Sequence, residues 1–164
     1  MLKEQGIFMI KQIQISDLER CVYVIRESFM TVAKEFNITE EIWPTHVSFT
    51  KMEKLQYHWD SGFLMYGYYL NDVIIGYVAL DKKDENTYAL RNLAVLPDYR
   101  HLGYGKELIA FCVNKVKELG GNRIILSIIE ENVRLKNWYL QNGFTHTGAK
   151  KWEYFTEGFM EMKI

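Results

Sequence analysis

At 164 residues the chain is long enough for one domain with a full-sized core, and no stretch rich in Pro, Gly or Ser divides it, so residues 1–164 read as a single domain. Hydrophobic residues make up 48% and charged residues 25%, with a formal net charge of −1; this is ordinary for a globular protein and offers no bulk attraction for nucleic acid or an anionic membrane. Cys21 and Cys112 are isolated, and His46, His58, His101 and His146 lack ligand spacing, so neither a disulfide framework nor a metal site is expected, and a cytoplasmic location is.

Met1 to Met9 contains Lys3 and Glu4 but no long apolar core, which argues against a leader peptide, and no later run is apolar enough to span a bilayer. Phe8 to Ile15 alternates apolar and polar residues as a half-buried strand does. Ser16-Asp17-Leu18-Glu19 has the form of a capping box, and Leu18, Val22, Ile25, Phe29 and Val32 follow as a helical stripe. Phe36 to Ser48 is irregular. Thr50-Lys51-Met52-Glu53 offers a second capping box, with Met52, Leu55 and Trp59 on one helix face. Phe63 to Leu70 and Val73 to Asp81 read as strands joined by a tight Asn71-Asp72 turn, and Thr87 to Leu96 as a further strand ended by Pro97.

Gly103 to Leu119 follows helical spacing, with Leu108, Cys112, Val116 and Leu119 inward and Gly120-Gly121 as the stop. Arg123 to Ile129 is almost continuously apolar, which predicts a strand buried on both faces. Asn132 caps a helix that runs to Gln141 or Asn142 and stops at Gly143; Phe144 to Trp152 and Phe159 to Ile164 are the last strands. Hairpins alternating with helix-connected strands predict an α/β fold, a mixed sheet with helices on both faces.

The segment Leu93 to Lys106 carries the most chemical information. A strand ends, the chain turns, and a helix begins around Gly103 and Gly105. The first turn of a helix leaves backbone N–H groups without partners, and the helix dipole adds partial positive charge there. Glycine lets an anion approach the backbone, and Arg100 and Lys106 add full charges, so the turn is expected to hold a diphosphate. A dinucleotide fingerprint would need a third glycine where Leu108 stands, and a P-loop would need Gly-Lys-Ser/Thr, which is missing.

Arg100, Gly103 and Gly105 match the Arg/Gln-x-x-Gly-x-Gly/Ala signature of the GCN5-related N-acetyltransferase (GNAT) superfamily. Asn132, Tyr139 and Gly143-Phe144 match its second signature, and the order of elements is similar over most of the chain. The resemblance implies a mostly antiparallel mixed sheet, splayed between the fourth and fifth strands. It implies acetyl-CoA as co-substrate, a small-molecule amine as acceptor and no metal; a homodimer is compatible with it. The amides of His101, Leu102, Gly103, Tyr104, Gly105 and Lys106, with Arg100, would hold the CoA diphosphate. The N–H groups of Leu93 and Val95 would pair with thioester and pantetheine as an added strand does, and Asn132 would face the cofactor. Tyr139 would be the general acid.

Acetyl transfer is attack of a neutral amine on a thioester. A Leu93 N–H aimed at the carbonyl oxygen would act as an oxyanion donor, and the Tyr139 hydroxyl would protonate the departing thiolate. Many relatives carry a Glu four residues before the position of Leu93, where this chain has Ala89; Glu40, Glu41, Glu130 and Glu131 are alternative bases. The resemblance places the acceptor where Trp43, His46, Trp59, Tyr66, Tyr68, Trp138 and Trp152 would stand, and Arg91, sharing strand parity with Leu93, would favour a carboxylate on it. A non-catalytic CoA-binding module and an acetyltransferase of protein N-termini or lysines are the alternatives; the absence of a basic stripe argues against a nucleic-acid binder.

Overall fold

The computed structural model describes residues 5–164; Lys3 and Glu4, used above against a leader, lie outside the described residues. The elements are β1 (Phe8–Gln12), α1 (Leu18–Glu35), α2 (Met52–Asp60), β2 (Leu64–Leu70), β3 (Val73–Lys82), β4 (Thr87–Val95), α3 (Tyr104–Glu118), β5 (Arg123–Ile129), α4 (Val133–Gln141), β6 (Thr145–Lys151) and β7 (Thr156–Lys163). The strands form a mixed sheet in the order β1-β2-β3-β4-β5-β7-β6. The Cα framework falls into two compact units, one holding the chain up to Leu80 with Arg91–Leu108, the other Asp81–Leu90 with Ile109–Ile164. No helix among the described residues is long and apolar enough to cross a membrane.

In the first unit, β1 pairs antiparallel with β2, and β2 with β3. The β2–β3 turn is the expected one: Asn71 and Asp72 both take left-handed φ, at 48° and 65°, the geometry that matches the twist of a two-residue hairpin. Tyr68 and Tyr69 send their hydroxyls to opposite faces of β2. The Tyr69 hydroxyl donates to Asp17 Oδ2 at 2.9 Å beside α1, and the Tyr68 hydroxyl donates to Glu107 of α3. Helices therefore cover both faces of this sheet.

Three local readings need correction here. The N-terminal box lies two residues earlier than Ser16–Glu19, because Asp17 Oδ2 accepts the Gln14 N–H at 2.9 Å and a 3-10 turn, Ile15–Asp17, precedes α1. The second box does not form, since the Thr50 hydroxyl turns back to Val47 O at 2.6 Å and α2 starts without a side-chain cap. The buried stripe of α1 is Leu18, Cys21, Val24, Ile25, Ser28 and Ala33, rotated so that Val22, Phe29 and Val32 are only half-buried.

In the second unit, β4 and β5 pair in parallel over Thr87–Ala89 and Arg123–Ile125, while β7 lies antiparallel to both β5 and β6. Along β5, Ile124, Leu126 and Ile128 are buried, but Ser127 is exposed and Ile125 and Ile129 are half-buried. The expected two-sided burial is therefore wrong: one face packs into the core, while the other stands beside Glu157, Phe159 and Glu161 of β7. On α3, Cys112 and Val116 are fully buried as expected, whereas Leu119 lies beyond the helix end and is exposed. Burial pushes both the Cys21 and Cys112 thiols up to about 12, which leaves them protonated and unreactive at neutral pH.

Candidate active site

The turn singled out in the sequence is built in short steps. Leu96 N–H donates to Ile75 O at 2.9 Å, which fixes the end of β4. Pro97, with its preset φ, then opens a 3-10 turn, Pro97–Tyr99, closed by Tyr99 N–H to Leu96 O at 2.9 Å and Arg100 N–H to Pro97 O at 3.3 Å. His101 and Gly103 both adopt left-handed φ, at 62° and 90°. Gly103, left-handed and followed by the first helical residue Tyr104, has the alternation that turns successive N–H groups toward one concavity, an anion-binding arrangement.

Glu107 N–H donates to Gly103 O at 3.0 Å and starts the regular bonding of α3. The N–H groups of His101, Leu102, Gly103, Gly105 and Lys106 donate to no acceptor among the described residues. A Cβ built on Gly103 would meet nothing within 4 Å, so the space above it is open. Open amides, a left-handed backbone and an unobstructed glycine fit a diphosphate group. Lys106 is exposed beside them, whereas Tyr104 is buried with its ring stacked on Phe8 at 5.5 Å.

Arg100 stands at the start of the amide turn, directly before His101. Its guanidinium faces α1, donating from Nη2 to Ser28 O at 2.6 Å and Ser28 Oγ at 3.2 Å, and from Nη1 to Thr31 Oγ1 at 3.0 Å, while Nε reaches back to Val95 O at 3.3 Å. Nothing local in the sequence signals Ser28 and Thr31 as its partners, because the contact spans about seventy residues.

On β4, Leu93 and Val95 are half-buried and Ala94 between them is buried. Asn92 has φ 53°, a left-handed residue inside a strand, which interrupts the two-residue alternation. The parity argument that set Arg91 beside Leu93 therefore fails. Ala89 is buried, so the strand presents no carboxylate there.

In the second unit, Asn132 is buried and its Oδ1 accepts the Leu135 N–H at 3.2 Å, the expected helix cap, which leaves its Nδ2 as the group able to reach a ligand. Tyr139 is 6% exposed, with its ring edge-on to Trp138 at 5.0 Å and Phe144 at 5.4 Å. Burial holds its hydroxyl well above the ordinary tyrosine range, in the protonated form a proton donor needs. Gly143, at φ 95°, ends α4, and Phe144 N–H donates back to Tyr139 O at 3.1 Å. Of the alternative bases, Glu130 binds Lys136 Nζ at 2.6 Å and His146 Nε2 at 2.9 Å, Glu40 stands 3.9 Å from Lys51, and Glu41 and Glu131 are exposed.

Among the aromatic candidates, Tyr66 and Tyr68 are buried in β2, Trp43, Trp59 and Trp138 are half-buried, and Trp152 is exposed, its Nε1 donating to Glu157 at 2.9 Å. His46 is buried with Nδ1 2.7 Å from the Ser48 hydroxyl, a pairing the sequence reading did not anticipate.

The fold and the turn define an α/β protein suited to holding an anionic group at the start of α3. A model of the acetyltransferase (GNAT) family matches residues 30–144. The chain therefore belongs to that family and is an acetyl-CoA-dependent N-acetyltransferase. Its fold is similar to that of the PaiA N-acetyltransferase from Thermoplasma acidophilum in complex with coenzyme A, with a TM-score of 0.81, 24% identity, and 96% of this chain and 99% of that one covered. It is similar also to the ribosomal-protein-S18-alanine N-acetyltransferase from Escherichia coli, with a TM-score of 0.78 at 15% identity over 96% and 94% of the two chains. A GNAT family acetyltransferase from Elizabethkingia anophelis with acetyl-CoA bound gives a TM-score of 0.69 at 16% identity, covering 96% and 98%.

Proposed function

We propose that residues 1–164 act as a single N-acetyltransferase domain that acetylates a primary amine on a small molecule, with the diphosphate of acetyl-CoA on the amides of residues 101–106. The observation that carries this reading is that the N–H groups of His101, Leu102, Gly103, Gly105 and Lys106 meet no acceptor among the described residues, with open space above Gly103. Leu102 and Gly105 are half-buried and His101, Gly103 and Lys106 exposed, so the amides are open to an anionic ligand at a helix N-terminus, where the dipole favours negative charge. Bound there, acetyl-CoA would supply an activated acetyl group as a thioester.

The chain's own residues would then orient and protonate. The Leu93 and Val95 N–H groups hold the donor arm along β4, an oxyanion donor typically contributing about 2.7–4 kcal/mol. Asn132 contacts the cofactor through Nδ2, the polar atom its helix cap leaves over. Tyr139, kept protonated by burial, gives its proton to the departing thiolate. With Ala89 in place of a strand carboxylate and Glu130 held in ion pairs, the amine proton leaves to solvent, and positioning of the reactants supplies much of the rate. A net charge of −1 gives no bulk attraction for a basic ribosomal protein, which favours the small acceptor over a protein N-terminus.

Thiol release from acetyl-CoA, followed against a panel of amino acids, polyamines, aminoglycosides and alanine-initiated peptides, tests the reading. Turnover with a small amine supports it. Turnover with the peptides alone replaces the acceptor class, and tight CoA binding without turnover on any amine replaces the enzyme with a binding module.

A further inference from the structure

We propose that Arg100 is a positioning residue: its guanidinium clamps the amide turn to the middle of α1 and thereby sets the geometry in which those amides receive a diphosphate. This rests on the reading that residues 101–106 hold that group. His101 carries a Cβ yet takes φ 62°. Such a residue keeps a left-handed conformation only when its surroundings over-determine it. Downstream, the Glu107 N–H to Gly103 O bond holds the chain. Upstream, Arg100 is the neighbour, itself extended at φ −74° and ψ 162°, and its side chain hydrogen-bonds to Val95, Ser28 and Thr31.

The contacts form a fork. Nε returns to Val95 O on β4, while the two terminal nitrogens reach Ser28 and Thr31, one turn apart on α1. Ser28 is 6% exposed, so its carbonyl, already accepting the Thr31 hydroxyl at 2.9 Å, gives the half-buried guanidinium a fixed anchor on α1. A planar group with donors in fixed directions can join a strand end to a helix in this way; a lysine, a single point charge on a flexible stem, cannot. The clamp therefore makes two hydroxyls on α1 determinants of donor affinity although the proposed diphosphate rests on other groups.

The test compares two acetyl donors, acetyl-CoA and acetyl-pantetheine, which lacks the diphosphate. Arg100→Lys keeps the charge and loses the fork, so CoA binding measured by calorimetry should weaken about tenfold, by the same factor at low and high salt. Ser28→Ala combined with Thr31→Ala should weaken CoA binding several-fold and raise KM for acetyl-CoA with little change in kcat, while turnover of acetyl-pantetheine stays at the wild-type level. Thr31→Ser should restore the affinity lost in Thr31→Ala. Thr31 is exposed, so Thr31→Ala alone serves if the double variant does not fold. Wild-type CoA affinity in Arg100→Lys, or an equal loss with both donors in the Ser28 and Thr31 variants, overturns the clamp. A wild-type protein that binds CoA no better than pantetheine overturns the diphosphate reading itself.

Discussion

Asn132 Oδ1 accepts the Leu135 N–H at 3.2 Å, so one side chain both begins α4 and sets the helix that carries Tyr139 two turns later. In the proposed site its two polar atoms have separate duties, Oδ1 as the cap and Nδ2 toward the cofactor. Asn132→Ala should lower stability by about 1 kcal/mol, the usual loss for an N-cap, and raise KM for acetyl-CoA. Asn132→Asp keeps the accepting oxygen and adds a negative charge at the helix N-terminus, so the melting temperature should hold while KM still rises. Thermal unfolding and donor kinetics on the two variants separate the cap from the cofactor contact.

Tyr139 is packed by its ring edges and its hydroxyl bonds to no protein group among the described residues, so Tyr139→Phe should leave the fold intact. The expected result is a fall in kcat of about 10²–10⁴-fold, the range for a lost general acid, with CoA affinity unchanged. Because burial raises the hydroxyl above its ordinary range, the acid stays protonated across the neutral and mildly alkaline region. The wild-type rate should therefore show no alkaline fall up to about pH 9. A fall below that pH that vanishes in Tyr139→Phe would contradict the raised value.

Elements with local signals were legible. The cap and stop of α4 are Asn132 and Gly143, at the positions read from residue type alone, and Asn71-Asp72 forms the tight turn that its spacing required. The misreadings have a common cause in partners that are distant or in competition. Thr50 had the spacing of a helix cap, but Val47 O was within reach and took its hydroxyl. The apolar run of β5 suggested burial on both faces, yet a strand's composition does not say whether both faces are covered. The turn around Gly103 and Gly105 was visible because a turn is local; the orientation of Arg100 toward Ser28 was not, because it depends on the fold bringing α1 to that turn.

His46 should make stability depend on pH. Burial lowers it from 6.5 to about 4, because the charged ring would lose its water, and the Ser48 N–H donating to Nδ1 at 3.2 Å places the ring proton on Nε2. The unfolded chain takes up a proton near 6.5 while the folded chain does not, so the unfolded state binds more protons between those values and stability rises with pH. It is complete above 6.5 and declines as pH falls toward 4, by at most about 3 kcal/mol from this group. Denaturant unfolding across that range should show the decline in the wild type and a flatter profile in His46→Gln.

Gly158 on β7 is required by a charge cluster rather than by its backbone. The Glu130 carboxylate lies against it: Oε1 accepts from Lys136 Nζ at 2.6 Å, Oε2 meets His146 Nε2 at 2.9 Å, and a Cβ on Gly158 would overlap Oε2. The overlapping atom is the end of a flexible side chain, so Gly158→Ala should displace the carboxylate rather than unfold the sheet. The loss is then that of the two half-exposed pairs, about 1 kcal/mol, and should shrink in high salt. Bonds to Lys136 first and His146 second hold the Glu130 carboxyl below its usual range, so the pairs stabilise above the ordinary carboxylate pKa and fade as pH falls through the lowered one. If this account is right, Gly158→Ala in a Glu130→Gln background should cost clearly less than in the wild type. Equal costs in a double-mutant cycle by chemical denaturation would show that the glycine serves the backbone instead.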